Sequence, residues 1–499
     1  MVDVALLRSH VDAVLFDVGN TLVEQASPGT PVADLAAVPL RGAEEVMAAL
    51  AGRVTIGVVS NTTVMTADDL RRLLTPLGWA RHLDCVVATA ELGIHKPSPE
   101  PLLEGARRLG VAPVRCLYVG DADTDRAAAE AAGMQFCAAG PDLSLVLDRW
   151  LRGGTELERS LAMPGIPDAD AAAQCERRLA ALAKPPGSFG RLERMLVRLA
   201  SAQGRAMPVV DPAAAVVFVG DHGHAADDFV TPWPQAISRQ VAALLADGRA
   251  AGSTFAASAG AYLEVIDVGI ATGATPEGVV RARVADGTSN LRFGPALDER
   301  QVREALEAGA ATAARLIGGG TRVLCVGEVG IGNTTVASIT ACWATGLDAA
   351  AATGPGAGVP PDALERKCGV VRDVAAELVG ERDPLAVLRR AGGLEVAAMA
   401  GAMLACASLR VPAVVDGVTA LAAAAIAGAM EPSTVHFLVA SHASAEPASA
   451  ALLAHLGLDP ILDLGLHVGE STGALLCLPV LRAACEAMAG MAVLDDLAD

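Results

Sequence analysis

The sequence predicts an α/β protein of two domains, each built on a mainly parallel sheet with crossover helices. Three observations lead there. At 499 residues the chain is too long for one ordinary core. Short runs rich in valine, isoleucine and leucine recur in two separate series, spaced by stretches of helical periodicity, and that alternation produces parallel sheets. Hydrophobic residues make up 52% of the chain but aromatics only 3%, so alanine, valine and leucine must fill the cores, a diet that suits broad α/β layers.

The first series places strands at 13–17, 54–60, 85–88 and 116–120, with a helix at 43–51 between the first two. Their C-terminal ends carry the polar residues, where open parallel sheets place ligands. After 143–148 the pattern loosens. Gly153-Gly154 and then Met163-Pro164-Gly165-Ile166-Pro167 read as chain punctuation. The expected division is therefore a domain over 1–153, a linker over 154–163 and a second domain over 164–499. The second series sets strands at 214–220, 263–268, 322–326, 411–416 and 435–440. No internal repeat links the halves.

Charge and cysteine usage narrow the function classes. A net charge of −19 and an isoelectric point near 4.9 argue against nucleic acid and against acidic membranes as partners. Ten cysteines without any Cys-x-x-Cys pair read as small core residues in a reducing compartment. Residues 1–10 lack a basic start followed by an apolar run, and no charge-free stretch of membrane-spanning length stands out, so a cytoplasmic location is expected. Of 38 cationic side chains only Lys96, Lys184 and Lys367 are lysines. A chain so biased to arginine keeps a compact ammonium where a planar fork would not fit, which marks each lysine as a candidate site.

In the first series the strand ends spell Asp17-Val18-Gly19-Asn20-Thr21, Ser60-Asn61-Thr62, Lys96-Pro97 and Gly120-Asp121-Ala122-Asp123-Thr124-Asp125. A carboxylate can attack phosphorus when nearby positive charge offsets the approaching anions. In order and spacing the four strings resemble the motifs of the haloacid dehalogenase-like hydrolase superfamily. The resemblance implies a Rossmannoid fold, Asp17 as nucleophile, Ser60 and Lys96 on the transferring group, and a magnesium ion on Asp17, the Gly19 carbonyl, Asp121 and Asp125. Gly19 departs from that pattern, because phosphatases of the superfamily carry a second aspartate there as general acid and base. Loss of such help costs about 10²- to 10⁴-fold. Only 38 residues separate Thr21 from Ser60, which leaves little for a cap.

The second series ends in Gly220-Asp221-His222-Gly223, in Gly327-Glu328-Val329-Gly330-Ile331-Gly332-Asn333-Thr334-Thr335, in Asp416-Gly417 and in Ser441-His442-Ala443-Ser444-Ala445-Glu446, followed by Gly469-Glu470-Ser471-Thr472-Gly473. The stretch 330–335 leaves a strand and enters a helix, so its N–H groups offer a phosphate cradle. No P-loop lysine motif is present, which argues against nucleoside triphosphate hydrolysis of that type. His222 and His224, with Asp227 and Asp228 nearby, could hold a metal, but histidines spaced by one residue in a loop more often hydrogen-bond locally. Together with Lys184-Pro185-Pro186-Gly187-Ser188 and Gly392-Gly393, these strings resemble the nicotinate-nucleotide dimethylbenzimidazole phosphoribosyltransferase family from about Ile166 onward. The resemblance implies a Rossmann-like core with a smaller helical subdomain, a homodimer, and no cofactor for the transfer itself.

It also implies the reaction. The ribosyl phosphate of nicotinate mononucleotide passes to 5,6-dimethylbenzimidazole with inversion at the sugar, giving α-ribazole 5′-phosphate, a step of cobalamin lower-ligand synthesis. Glu470 would be the general base and Glu328 the second acid. Gly330, Gly332, Asn333 and Thr334 would hold phosphate with Lys367 as counter-charge, and Trp233 and Gln235 would line the benzimidazole pocket. The fusion suggests that the first domain removes the 5′-phosphate made by the second. Two alternatives stand beside that reading: a non-catalytic binding or dimerisation module, and a phosphatase acting on an unrelated small molecule.

Overall fold

The computed structural model describes residues 4, 7, 11–25, 30–152, 154–226 and 230–497. The chain divides into two compact units, Met1–Gly154 together with the short segment Arg315–Gly320, and the remainder, Thr155–Ala314 with Thr321–Asp499.

The first unit holds five strands, β1 (Ala13–Phe16), β2 (Thr55–Ser60), β3 (Cys85–Ala88), β4 (Cys116–Gly120) and β5 (Gln135–Ala138), in the order β3-β2-β1-β4-β5. All pairs are parallel, with Ala13 facing Thr55 on one side and Cys116 on the other. Every residue of β1, β3 and β4 is buried, so they read as unbroken apolar runs, as strands covered on both faces do. The order of connection reverses about the central β1, the switch point at whose C-terminal strand ends open parallel sheets place their ligands. β5 escaped the sequence reading because it is an edge strand with one fully buried residue, Cys137.

The second unit has six parallel strands, β6 (Ala213–Gly220), β7 (Tyr262–Gly269), β8 (Val280–Arg281), β9 (Val323–Val329), β10 (Ala413–Val415) and β11 (Leu438–Ala440), in the order β11-β10-β9-β6-β7-β8. β9 runs further than expected and carries Glu328 within it, paired opposite Phe218 of β6. β11 is half its expected length, because Pro432 opens a 3-10 turn over Pro432–Phe437 that Glu431 caps through the N–H of Ser433. The two-residue β8, exposed throughout, left no apolar signal to read.

Small residues do the packing. All fifteen residues of helix Leu394–Ser408 are buried. A Cβ added at its Gly401 would lie 1.9 Å from the Leu306 carbonyl oxygen, and one at Gly309 would lie 1.7 Å from that of Ala398. This helix and helix Glu299–Gly318 therefore cross at backbone contact, which explains an alanine- and glycine-rich core nearly free of aromatics. A smaller helical cluster packs Cys175, Leu179 and Leu182 against Leu196, Ala200, Ala484 and Met488. The segment expected as a linker carries a helix, Glu156–Ala162, started by a Thr155 and Glu158 capping box. Helix Thr472–Gly490 is long and apolar enough by composition to cross a membrane, with mean hydropathy 1.4, yet its Leu475, Leu478 and Leu481 lie in the core beside β6 and β9 residues.

Candidate active sites

In the first unit, Asp17 follows β1, Ser60 ends β2, and Asp121 and Asp125 follow β4 at the start of helix Asp123–Ala131. One carboxylate oxygen from each of Asp17, Asp121 and Asp125 lies within 4.8 Å of the others. Lys96 reaches into this group, its ammonium 3.1 Å from Asp17 and 2.5 Å from Asp125, with 1% of its side chain exposed. Asn61 fixes the lysine's backbone on both sides, accepting from its N–H at 2.9 Å and donating to its carbonyl at 3.2 Å. Tyr118 accepts from the Lys96 ammonium at 2.8 Å and donates to the Val59 carbonyl.

Burial pushes the Asp17 carboxyl up against the opposing pull of Lys96, with Asp125 adding to the rise. Asp121 is pushed up to about 6, first by burial and then by Asp17 and Asp125. Three oxygen donors around one cation are the donor set of a hard divalent ion such as magnesium. Gly19 adds no side chain to the set, and the space where its Cβ would stand is taken by the Gln25 amide, whose oxygen is 2.7 Å from that point. Ser60 is buried at the end of β2.

In the second unit a cleft of about 230 Å³ opens at the strand ends, lined among others by Glu328, Gly330, Asn333, Thr334, Glu446 and Glu470. Glu328 is 6% exposed. Burial, followed by the charge of Glu395, raises its carboxyl to about 8, against hydrogen bonds from Asn333 and Thr419. Burial thus favours its neutral form. Gly332, at φ 103°, caps helix Asn333–Thr345. Within the expected cradle the Ile331 N–H donates to Ser238 Oγ at 3.1 Å and that of Asn333 to the Gly330 carbonyl at 3.3 Å, so the N–H groups of Gly332 and Thr334 are the part left for an anion.

Lys367 does not stand on the cleft wall. It is 2% exposed and donates to Thr334 Oγ1 and the Gly354 carbonyl, both at 2.8 Å. Burial lowers its ammonium to about 8, with Glu446 pulling the other way. Its charge thus reaches the cleft through Thr334. Trp233 stands 44% exposed and donates from its indole to the carbonyl of Ala357, a wall residue. The Gln235 amide is turned to the His222 carbonyl at 2.8 Å. Neither side chain lines the cleft.

Glu470 sits in an unusual turn. It and Ser471 both have left-handed backbones, φ 64° and 61°, a conformation costing a non-glycine residue about 1–2 kcal/mol. Neighbours hold the pair in place. The Glu470 N–H donates to the Glu328 carbonyl at 2.9 Å, and Glu470 Oε2 accepts from the N–H of Gly252, in the first turn of helix Ala251–Ala259, at 2.9 Å. Gly252 and Gly327 let the turn approach: a Cβ on the first would lie 2.3 Å from the Glu470 carbonyl oxygen, and one on the second 2.4 Å from the Ser471 nitrogen.

Under the loop between β9 and helix Asn333–Thr345 lies a fully buried set, Asp221, His222, His224 and Glu395. His222 Nε2 meets Glu395 Oε1 at 2.8 Å. Burial opposes the charged imidazole, but the charge and hydrogen bond of Glu395 outweigh it and hold His222 above its ordinary value. His224 is pushed well below by burial and by His222, and it bonds the Gly332 carbonyl. Among the described residues the metal-like cluster is the aspartate trio of the first unit. Asp227 and Asp228 lie outside the described residues.

Sequence reasoning missed Asn61 and Tyr118 around Lys96, and it gave Asp416 no role. Asn61 stood beside Ser60 in a quoted motif and could have been found there. Tyr118 sits inside β4, where nothing separates it from a core residue.

Residues 165–497 match the phosphoribosyltransferase family, and residues 32–139 match haloacid dehalogenase-like hydrolases. The second span begins past Asp17 and takes in Ser60, Lys96, Asp121 and Asp125. A nicotinate-nucleotide–dimethylbenzimidazole phosphoribosyltransferase of Azotobacter vinelandii is 42% identical over 354 residues, covering 70% of this chain and 97% of that protein. One from Salinispora tropica is 40% identical, covering 68% and 98%. The crystal structure of the same-named enzyme from Thermus thermophilus superposes with a TM-score of 0.63 at 37% identity, covering 66% of this chain and 98% of that one.

Proposed function

Since the chain belongs to this phosphoribosyltransferase family, we propose that its second unit transfers the phosphoribosyl group of nicotinate mononucleotide to 5,6-dimethylbenzimidazole, with Glu470 as general base. The carboxylate takes the proton from one ring nitrogen of the benzimidazole. The other nitrogen attacks the anomeric carbon from the face opposite nicotinate, the glycosidic bond breaks, and nicotinate leaves with its electron pair. A base must be held within hydrogen-bond reach of the proton it removes. The observation that carries this reading is the Glu470 turn, pinned on the cleft wall by Gly252 and Glu328.

The residues on and behind the wall have matching tasks. Phosphate is received at the N-terminus of helix Asn333–Thr345, with Lys367 behind Thr334 as counter-charge. Glu328, whose neutral form burial favours, then adds no negative charge beside Glu470 and can donate a hydrogen bond. No residue in this scheme requires a metal.

For the first unit we propose a magnesium-dependent phosphatase acting on the product, α-ribazole 5′-phosphate, with Asp17 as nucleophile. Asp17, Asp121 and Asp125 would hold the metal, which when bound offsets the charge of the phosphoryl group. Lys96 orients Asp17 and adds positive charge, and Ser60 is set at the end of β2 to contact the phosphoryl oxygens. The missing acid at Gly19 makes this hydrolysis slow. The division into domains over 1–153 and 164–499, a homodimer and a cytoplasmic location complete the reading, the last in keeping with ten cysteines that are all unpaired.

The test is mass spectrometry of products from nicotinate mononucleotide and dimethylbenzimidazole, with and without magnesium. α-Ribazole 5′-phosphate in both supports the transfer, and its conversion to α-ribazole with magnesium alone supports the coupled phosphatase. Absence of any coupled product would overturn the transfer reading.

A further inference from the structure

Helix Thr472–Gly490 begins without the cap its own sequence offers. An N-cap serine normally has extended backbone, and its hydroxyl accepts from the N–H two or three residues on. Ser471 cannot do so from the left-handed region. It makes no side-chain cap, and its Oγ is buried without a partner. The orphan N–H groups of the first turn are instead met from another strand. Asp416, just past β10, accepts through Oδ1 from Gly473 at 2.8 Å and from Ala474 at 3.2 Å, the second and third helical positions.

We propose that Asp416 is a positioning residue for the transfer reaction: by capping this helix from β10 it frees Ser471 from capping duty, which keeps the left-handed turn and holds the Glu470 carboxylate in the cleft. The competing state is plain from the chemistry. Without Asp416, two buried N–H groups lose their acceptor, and Ser471 can satisfy one of them by rotating to extended backbone. That rotation turns the peptide between Glu470 and Ser471 and draws the base off the hydrogen bonds from Gly252 and to Glu328. The cost of such displacement is catalytic, since a shift of about 1 Å in a reacting group can cost about 10²-fold.

The cap is made under demanding conditions, which argues that the carboxylate is kept for this task. Asp416 is 2% exposed, and burial raises it to about 7 although the N–H groups of Ala474, Gly473, Gly417 and Ser471 all pull it down. His442 closes the other side, so near that a Cβ on Gly473 would lie 2.0 Å from its Nδ1.

The inference rests on Glu470 being the base, and the experiment separates the two. Nicotinate release is measured for the full chain carrying Asp416→Ala, Glu470→Gln, both, and Asp416→Ala with Ser471→Gly. Expected for Asp416→Ala is a fall in kcat of about 10²-fold with KM changed less than about threefold. In the double variant the two losses do not multiply, because the displaced group is already disabled. Ser471→Gly removes both the competing hydroxyl and the left-handed penalty, so it restores at least about tenfold in kcat to Asp416→Ala. A residue that served stability alone would lower the melting temperature without this rescue. If Asp416→Ala does not fold, Asp416→Asn keeps one acceptor oxygen and shows the same non-additivity at a smaller loss. Losses that multiply, or no rescue by Ser471→Gly, overturn the positioning role; a fully active Glu470→Gln overturns the base assignment beneath it.

Discussion

Both units place a lysine and a group of acids at the C-terminal ends of a parallel sheet, and they use them in opposite ways. In the first, Lys96 stands among carboxylates, 3.1 Å from Asp17 and 2.5 Å from Asp125. In the second, Lys367 bonds a hydroxyl and a carbonyl, while burial raises Glu328 to about 8 and Asp416 to about 7. The first arrangement gathers carboxylate oxygens close to one cation, as a site for a metal and a phosphoryl group requires. The second pushes two buried acids, Glu328 and Asp416, towards the neutral form and sets a third, Glu470, apart from them on the cleft wall. A shared fold layout therefore does not fix the chemistry; the solvation and pairing of each acid does.

The sharpest way to test that contrast is a crossed pair of substitutions. Glu470→Gln should lower kcat for base transfer by about 10²- to 10⁴-fold and leave magnesium-dependent phosphate release from α-ribazole 5′-phosphate unchanged. Asp17→Asn should do the reverse, abolishing phosphate release with base transfer within about twofold of the parent. Chromatography of both products from one reaction reads the pair. A parent enzyme that releases no phosphate, with Asp17→Asn indistinguishable from it, would make the first unit a binding or dimerisation module.

Next in size is the Lys367 charge. Lys367→Met should raise KM for nicotinate mononucleotide by about 10- to 100-fold, the worth of a charge-assisted contact to phosphate. Since burial lowers this ammonium to about 8, the parent's KM should climb as pH rises through 8 and the amine loses its proton. The variant has no such limb. A KM that rises equally in both would assign the titration to another group, Glu328 being the nearest candidate at about the same pH.

How far these sites were legible follows from what kind of signal each residue leaves. Asp17, Ser60 and Asp121 sit immediately at strand ends, so an apolar run followed by a polar residue announced them, whereas Lys96, beyond β3 and the short helix Thr89–Leu92, was marked by being one of three lysines. The pinned turn at Glu470 left a weaker trace: nothing in Gly469-Glu470-Ser471 says that both non-glycine residues are left-handed, because the cause lies 54 residues upstream in Asp416 and in Gly327 and Gly252. Edge strands β5 and β8 were missed since exposure removes the apolar pattern. Trp233 and Gln235, expected in the base pocket, face a backbone carbonyl each, a matter of rotamer that sequence does not encode. Strand β9 was cut short at Gly327, where a glycine needed for close approach reads as a strand ending.

The smallest effect concerns stability, and it follows from the burial of Glu328. Its folded-state value of about 8 lies above the ordinary 4.5, so between those pH values the unfolded chain has released a proton that the folded chain keeps. The unfolded state then binds fewer protons, and the second unit loses stability as pH rises from about 4.5 to 8, levelling above that. Glu328→Gln removes the titration while keeping an acceptor for Asn333. Its melting temperature should match the parent's near pH 4.5 and exceed it by a few degrees at pH 8, for a gain of roughly 1–4 kcal/mol, even as transfer activity falls. The first unit, melting separately, should show no difference between the two proteins. An unchanged transition for the second unit at pH 8 would mean that Glu328 ionises at little cost, and the contrast between acids paired with a lysine and acids pushed towards neutrality by burial would then rest on Asp416 alone.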